Sequence, residues 1–245
     1  MSASTLIDAA VIIPWRDKGD RARKRNLDAV TKHLDGCLPD IPTCVIGDGR
    51  TGPFNRSAAY NHALSYVKAD VYVFHEADMI VDPDALRTAI RLAGDAPGLV
   101  VPFDVYHYLS RDATKAVVDG KIEPQELAAE RRMADGRSVG AVNMVSATTM
   151  KAIGCWDETF AGWGYDDRAM ALAFQVATGA PTRFVSGLGI HLWHTPGWQA
   201  GGRFAGGTRQ VSAVEQAATD ANAARYRRYK AARTPDDIRL LTSGR

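Results

Sequence analysis

The chain has 245 residues, 46% hydrophobic and 24% charged, which suits one large α/β domain with a substantial core. A formal net charge of +2 excludes a molecule-wide polyelectrolyte binder, and no apolar run approaches the roughly 20 residues that span a bilayer. Cys37, Cys44 and Cys155 are scattered and odd in number, which argues against a disulfide framework or a zinc site. No basic start followed by an apolar run opens the sequence, so a cytoplasmic protein is expected.

Short β-rich runs at Ala9 to Ile13, Thr43 to Ile46, Val71 to Phe74 and Leu99 to Pro102 alternate with helical periodicity, the pattern of parallel strands joined by crossover helices. Helices are predicted over 21–34, with Leu27, Val30 and Leu34 on one face, and over 55–68, with Ala59, Ala63 and Val67. Asp82 and Pro83 read as an N-cap and a first-turn proline opening a third helix. Residues 103–138 break the alternation as a polar insertion over one edge, with a helix expected from Pro124 to Ala134. A strand follows over Val139 to Val145, then a short helix from Ser146 to Gly154 and a longer one from Asp166 to Gly179. Strand character returns from Phe184 to Trp193. The Gly-rich stretch TPGWQAGGRFAGGT is too poor in apolar residues to pack by itself, and a last helix is expected from Val211 to Ala232.

The stretch VYVFHEADMIV, residues 71–81, ends an apolar strand on Glu76 and Asp78, at the carboxyl end of a strand where α/β sheets bind ligands. Two residues apart on an extended chain, they project to one side and offer hard oxygen donors for Mg²⁺ or Mn²⁺; capping the helix that follows or pairing with a nearby Arg is the alternative. In GWGYDD, residues 162–167, Asp166 and Asp167 open a helix whose N-terminus favours their ionised form, as a general base requires. In HLWH, an offset of three along a strand sends His191 and His194 to opposite sides, so one of them is expected to be a ligand. Arg16 and Arg56 each lie between a strand and a helix, where a guanidinium reaches a phosphate or nucleotide.

Taken in order, VIIPWRD, FNRSAAYN, YVFHEADMIV, GAVNMVSATTMKAIGCWDETFAGWGYDD and HLWH resemble the inverting glycosyltransferases of the A-type fold, most closely the β-1,4-galactosyltransferase group, over residues 9 to about 200. The resemblance implies a single Rossmann-like α/β domain with a mixed central sheet over residues 1–200, residues 103–138 being an acceptor-side insertion. Residues 201–245 are then a flexible Gly-rich loop and a C-terminal helical extension. It implies Asp78 as the principal carboxylate for Mn²⁺ or Mg²⁺, with His194 completing the site and Glu76 at the metal or the donor ribose. Donor contacts fall on Pro14, Arg16, Asp48, Phe54, Arg56, Asn61, Trp163 and Gly164. Phe54 and Arg56 would hold the base, with Asp48 near it; Arg16 would hold phosphates or ribose, and Trp163 would lie against sugar and diphosphate. Asp167 would be the catalytic base and Asp166 would bind acceptor or sugar hydroxyls. The chain departs from the family where Glu76 replaces Asp, Asp166 replaces Glu and Ala161 stands for the first Trp, which bears on sugar and acceptor choice.

The function so implied is metal-dependent transfer of a hexose from a nucleotide diphosphate sugar, a UDP-sugar foremost, to an acceptor hydroxyl with inversion. The Gly-rich stretch after His194 would close over the donor or serve as a plain linker. A retaining transferase, a non-catalytic nucleotide-sugar binding module and a nucleotidyltransferase are the alternatives. The last lacks its Gly-rich basic loop after the first strand, where this chain has PWRDKGDR. Protein, glycan and small-molecule acceptors stay open. So does a hydroxylated DNA base, since Arg225, Arg227, Arg228, Lys230 and Arg233 interleave with Tyr226 and Tyr229, although a solvated helix face is the plainer reading.

Overall fold

Apolar residues on both faces of the first and third strands dictate a sheet covered on both sides. The computed structural model describes residues 8–17, 19–52, 54–121, 131–132, 138–194 and 213–244. The elements are β1 (Ala9–Pro14), α1 (Arg21–Cys37), β2 (Thr43–Ile46), α2 (Arg56–Tyr66), β3 (Val71–His75), β4 (Met79–Val81) and α3 (Pro83–Asp95). After them come β5 (Val100–Val101), β6 (Val105–Tyr108), α4 (Arg111–Val118), β7 (Arg131–Arg132) and β8 (Val142–Ser146). The order ends with α5 (Ala147–Ile153), α6 (Asp166–Thr178), β9 (Arg183–Phe184), β10 (Leu188–His191), α7 (Ala213–Ala231) and α8 (Pro235–Thr242).

Along β1 and β3, Val11, Ile13, Val71 and Val73 enter one apolar core while Ile12, Tyr72 and Phe74 enter the other, the two-residue period of a strand. The first core takes Leu27, Val30 and Leu34 of α1 and Leu86 and Ile90 of α3. The second takes Tyr60 of α2, Met170 and Phe174 of α6, and Ile238 and Leu241 of α8. The main sheet runs β2-β1-β3-β8-β5-β9. Its β1 pairs in parallel with β2 and β3, whereas β8 runs antiparallel to both β3 and β5. The parallel pairing suggested by the strand and helix alternation holds for β1 with β2 and β3, and the whole is the mixed central sheet that the resemblance implies. Between β5 and β8 the chain detours through a second sheet and returns from the opposite end.

That second sheet, β4-β10-β6-β7, draws β6 from the 103–138 segment. Arg131 and Arg132 form a strand there, opposite Tyr108 and His107, where the sequence predicts the end of a helix. The open edge of β6 offers backbone partners that outcompete local helical preference; the remainder of that helix falls outside the described residues. The strand expected over 184–193 is divided between the two sheets as β9 and β10. At Gly187, between them, a Cβ would meet Ala85 Cβ at 2.6 Å and Pro102 O at 3.1 Å, so the chain crosses there only without a side chain.

Helix boundaries follow their capping residues. Asp20 accepts from Ala22 and Arg23 N–H, Asn55 from Ala58, Asp82 from Ala85 ahead of Pro83, and Ser146 from Thr149. The start of the last long helix at Val211 lies outside the described residues. Among those described, no helix is long and apolar enough to cross a membrane.

The C-terminal helices are not a basic face turned to solvent along their length. Asp157, fully buried, accepts from Arg225 Nε at 2.7 Å and from the Tyr229 hydroxyl at 2.8 Å, and Tyr229 is itself buried. Two members of the interleaved basic and aromatic pattern thus tie α7 to the turn before α6, which removes them from any nucleic-acid surface. Asp157→Ala takes the carboxylate from a part-buried guanidinium, which keeps Leu241 O, and strands a buried hydroxyl, and about 3–5 kcal/mol of stability is expected to be lost, read as a lower denaturation midpoint.

Candidate active site

Asp78 lies in the turn between β3 and β4, its carboxylate buried beside two imidazoles. Its Oδ2 accepts from His194 Nε2 at 2.9 Å, and Oδ1 lies 3.8 Å from His191 Nε2. The histidine rings stand 5.1 Å apart, centroid to centroid. Strand alternation, which sends them to opposite sides, fails because β10 ends at His191. Beyond it Leu192 N–H donates to Asp78 O at 2.8 Å, and Trp193 N–H donates to Thr114 Oγ1 at 2.7 Å. Asn26 Nδ2 donates to Trp193 O at 3.0 Å. Buried Asn26 on α1 and buried Thr114 on α4 hold this bend, returning His194 to Asp78.

The three residues fit a divalent cation. Asp78 Oδ1 is buried without a hydrogen-bond partner, and one donor atom from each residue falls within 4.8 Å of the others. An unsatisfied buried polar atom costs about 1–3 kcal/mol or more when charged, a deficit that a cation between the three donors removes. One carboxylate with two imidazoles favours Mn²⁺ over Mg²⁺, which prefers oxygen alone. Burial raises the Asp78 carboxyl, but His191 and His194 outweigh it and hold the group well below the ordinary carboxylate range.

Glu76 departs from the expected pairing with Asp78. Residues 76–78 form a turn, so the same-side geometry of an extended strand does not apply. Arg56 takes the Glu76 carboxylate with Nη1, and with Nη2 donates to Asp166 Oδ2 at 2.5 Å and to Asp167 Oδ1. Glu76 therefore belongs to an arginine-centred acid cluster rather than to the group of three metal donors. One guanidinium fastens the end of β3 to the start of α6.

Tyr165, at the N-cap of α6, has φ of 70° and makes no side-chain capping bond to the first turn of the helix. Asp167 is the more accessible acid, its side chain 32% exposed against 18% for Asp166. Burial pushes the Asp167 carboxyl up to about 6, with Arg56 opposing and Asp166 adding to the rise. The helix N-terminus alone, which favours the ionised form, does not prevail over that burial. Burial likewise raises Glu76 to about 7, against the pull of Arg56. A Cβ on Gly140 would stand 2.5 Å from Asp167 Oδ2, so this carboxylate occupies space that only glycine leaves.

A second corner forms where β1 and β2 end. Arg16 Nε donates to Asp48 Oδ1 at 3.0 Å, Nη2 binds Asp48 Oδ2, and the guanidinium lies 5.4 Å over the Phe54 ring. Arg16 also donates to Gly52 O at 2.6 Å and Arg50 O at 2.8 Å. Burial would raise the Asp48 carboxyl, but its bonds from Arg16 and Asn55 N–H hold it below the usual range. Arg16 is thereby committed to shaping this loop, with Pro14 at its base. Asn61 is also spent structurally: Nδ2 donates to Trp156 O at 2.9 Å and Glu158 Oε1 at 2.7 Å, while Oδ1 accepts from Trp156 N–H at 2.9 Å. Trp163 is 47% exposed beside Gly164, whose φ is 100°.

No protein-family model matches the chain, and no curated protein matches it. Among solved structures it is similar to a Drosophila β-1,4-galactosyltransferase 7 variant in complex with manganese, UDP-Gal and xylobiose. The identity is 13% over 72% of this chain and 63% of that one, with a TM-score of 0.50. The fold is that of an A-type glycosyltransferase. Glucosyl-3-phosphoglycerate synthase from Mycobacterium tuberculosis, in complex with Mn²⁺, UDP-glucose and phosphoglyceric acid, aligns at 13% identity over 78% of this chain and 73% of that one, with a TM-score of 0.48. The chain spans less than two thirds of the galactosyltransferase structure.

Within this A-type domain two neighbours of the donor triad carry no readable sequence signal. Tyr108, from the 103–138 segment, sets its ring 5.1 Å from His191. Arg23, the third residue of α1, donates from Nη2 to His194 Nδ1 at 3.2 Å. Both reach the site from elements that read only as a polar insertion and a surface helix.

Proposed function

We propose that this protein is a metal-dependent inverting glycosyltransferase moving a hexose from a nucleotide diphosphate sugar, a UDP-sugar foremost, to an acceptor hydroxyl. The observation that carries this reading is the orphaned Asp78 oxygen between two imidazoles, on the same strand end as the acids gathered by Arg56. Glu76, two residues from Asp78 and bound to the same guanidinium as Asp167, joins the two clusters.

Asp78, His191 and His194 would hold Mn²⁺ or Mg²⁺, which supplies positive charge opposite the departing diphosphate. Asp167 accepts the acceptor hydroxyl proton as that oxygen bonds to the anomeric carbon and the bond to the diphosphate oxygen breaks. Arg56 keeps both aspartates in place, leaving Asp166 to receive a hydroxyl of sugar or acceptor. The Phe54, Asp48 and Arg16 corner offers a flat apolar and polar surface for the nucleoside, and exposed Trp163 offers a face for the sugar. The 103–138 segment, which brings Tyr108 to the metal donors, selects the acceptor. The Gly-rich stretch read as a lid lies outside the described residues.

Incubation with a panel of nucleotide sugars and Mn²⁺, scored for released nucleoside diphosphate, tests the donor; no release from any donor overturns the reading. Proton NMR of the product tests stereochemistry, and retention would overturn inversion. Because Asp167 must be ionised to accept a proton and its carboxyl is raised to about 6, kcat/KM is expected to level off above pH about 6. Below that value it should fall about tenfold per pH unit.

A further inference from the structure

We propose that Arg23 is a ligand for the donor diphosphate, opposite the metal donors. The inference rests on the glycosyltransferase reading and adds to it a residue that neither the sequence motifs nor the fold supplies.

The first support is position. Arg23 approaches from α1, on the far side of His194 from Asp78: His194 Nε2 meets Asp78 at 2.9 Å while its Nδ1 meets Arg23 at 3.2 Å. Asn26, one turn further along α1, binds Trp193 O and anchors that helix to the histidine bend. The guanidinium is therefore held at the rim of the donor triad.

The second support is charge. The triad contains one carboxylate, so a divalent cation there leaves one positive charge unbalanced, and Arg23 raises the excess to two. A cationic side chain against a metal ligand opposes metal binding unless an anion sits across both. A nucleotide diphosphate ester carries two negative charges, and its oxygens match the planar fork of arginine. The acids of the neighbouring cluster cannot serve, since Glu76, Asp166 and Asp167 are all bound to Arg56.

The third support is hydrogen bonding. Arginine has only donors, so His194 Nδ1 accepts from it and Nε2–H points at Asp78. An imidazole that ligates through Nε2 carries its proton on Nδ1 instead, and Arg23 then loses its acceptor. Its N–H groups need another partner, which a diphosphate oxygen provides.

Isothermal titration of wild type, Arg23→Ala and Arg23→Lys with three probes tests the assignment: Mn²⁺ alone, UDP with Mn²⁺, and uridine with Mn²⁺. Arg23→Ala is expected to weaken UDP about ten- to hundredfold, the value of one or two charge-assisted bonds, with Lys recovering part of it. Mn²⁺ alone should bind Arg23→Ala as well as wild type or better, and uridine should bind equally to both. Undiminished UDP affinity in Arg23→Ala overturns the proposal. Equal loss of Mn²⁺ and UDP affinity also overturns it, assigning Arg23 to holding His194. Failure of wild type itself to bind UDP with Mn²⁺ strikes the glycosyltransferase reading beneath it.

Discussion

Asp167→Asn is expected to lower kcat for sugar transfer by about 10²–10⁴ while leaving Mn²⁺-dependent UDP affinity within about twofold. Asparagine keeps the volume, and its carbonyl oxygen can still accept from Arg56, but it cannot take a proton from an attacking hydroxyl. The pairing of the two readouts matters because Arg56 binds Asp166 and Asp167 together. If UDP affinity falls as steeply as kcat, Asp167 acts by placing Arg56 and the base lies elsewhere. If neither changes, transfer proceeds without Asp167 and the base lies elsewhere. Asp166→Asn supplies the contrast: the less exposed acid should affect KM for sugar or acceptor more than the pH profile.

Asp78→Ala should abolish the Mn²⁺-dependent part of UDP binding, a loss of at least about a hundredfold, since it removes the sole carboxylate among three donors. Titration of UDP with and without Mn²⁺ measures it, with circular dichroism as a check on folding. His191→Ala is expected to weaken the same metal-dependent increment by about ten- to hundredfold. Full metal dependence in both variants would place the cation elsewhere. The His191 result bears on chain geometry as well as chemistry, because both imidazoles reach Asp78 only through the bend that follows β10 at His191.

Much of the framework was legible because it depends on residues close in sequence. Asp82 before Pro83, Ser146 before α5 and Gly154 after it each complete a local set of hydrogen bonds, and the structure begins or ends helices where they stand. The two-sided apolar runs of β1 and β3 likewise announce a covered sheet. The motifs ending at Asp78, at Asp166 and Asp167, and at His194 were visible as chemistry without partners. Readings failed where partners came from afar. Of the two readings of Glu76, metal companion of Asp78 or partner of a nearby Arg, the contact with Arg56 realises the second; Arg225 and Tyr229 read as a basic surface until Asp157 buries them. The expected helix end at Arg131 and Arg132 yields to the edge of β6.

The sequence by itself determined the alternation of strands and helices, the helix ends and the positions of chemically capable side chains, since each follows from spacing and capping within a few residues. Tertiary structure alone decided which charges meet. Arg56 gathers acids up to 111 positions away, and Arg23 reaches His194 across 171. Such pairings depend on where strand ends converge and on which buried groups must be satisfied, and neither is encoded in local periodicity.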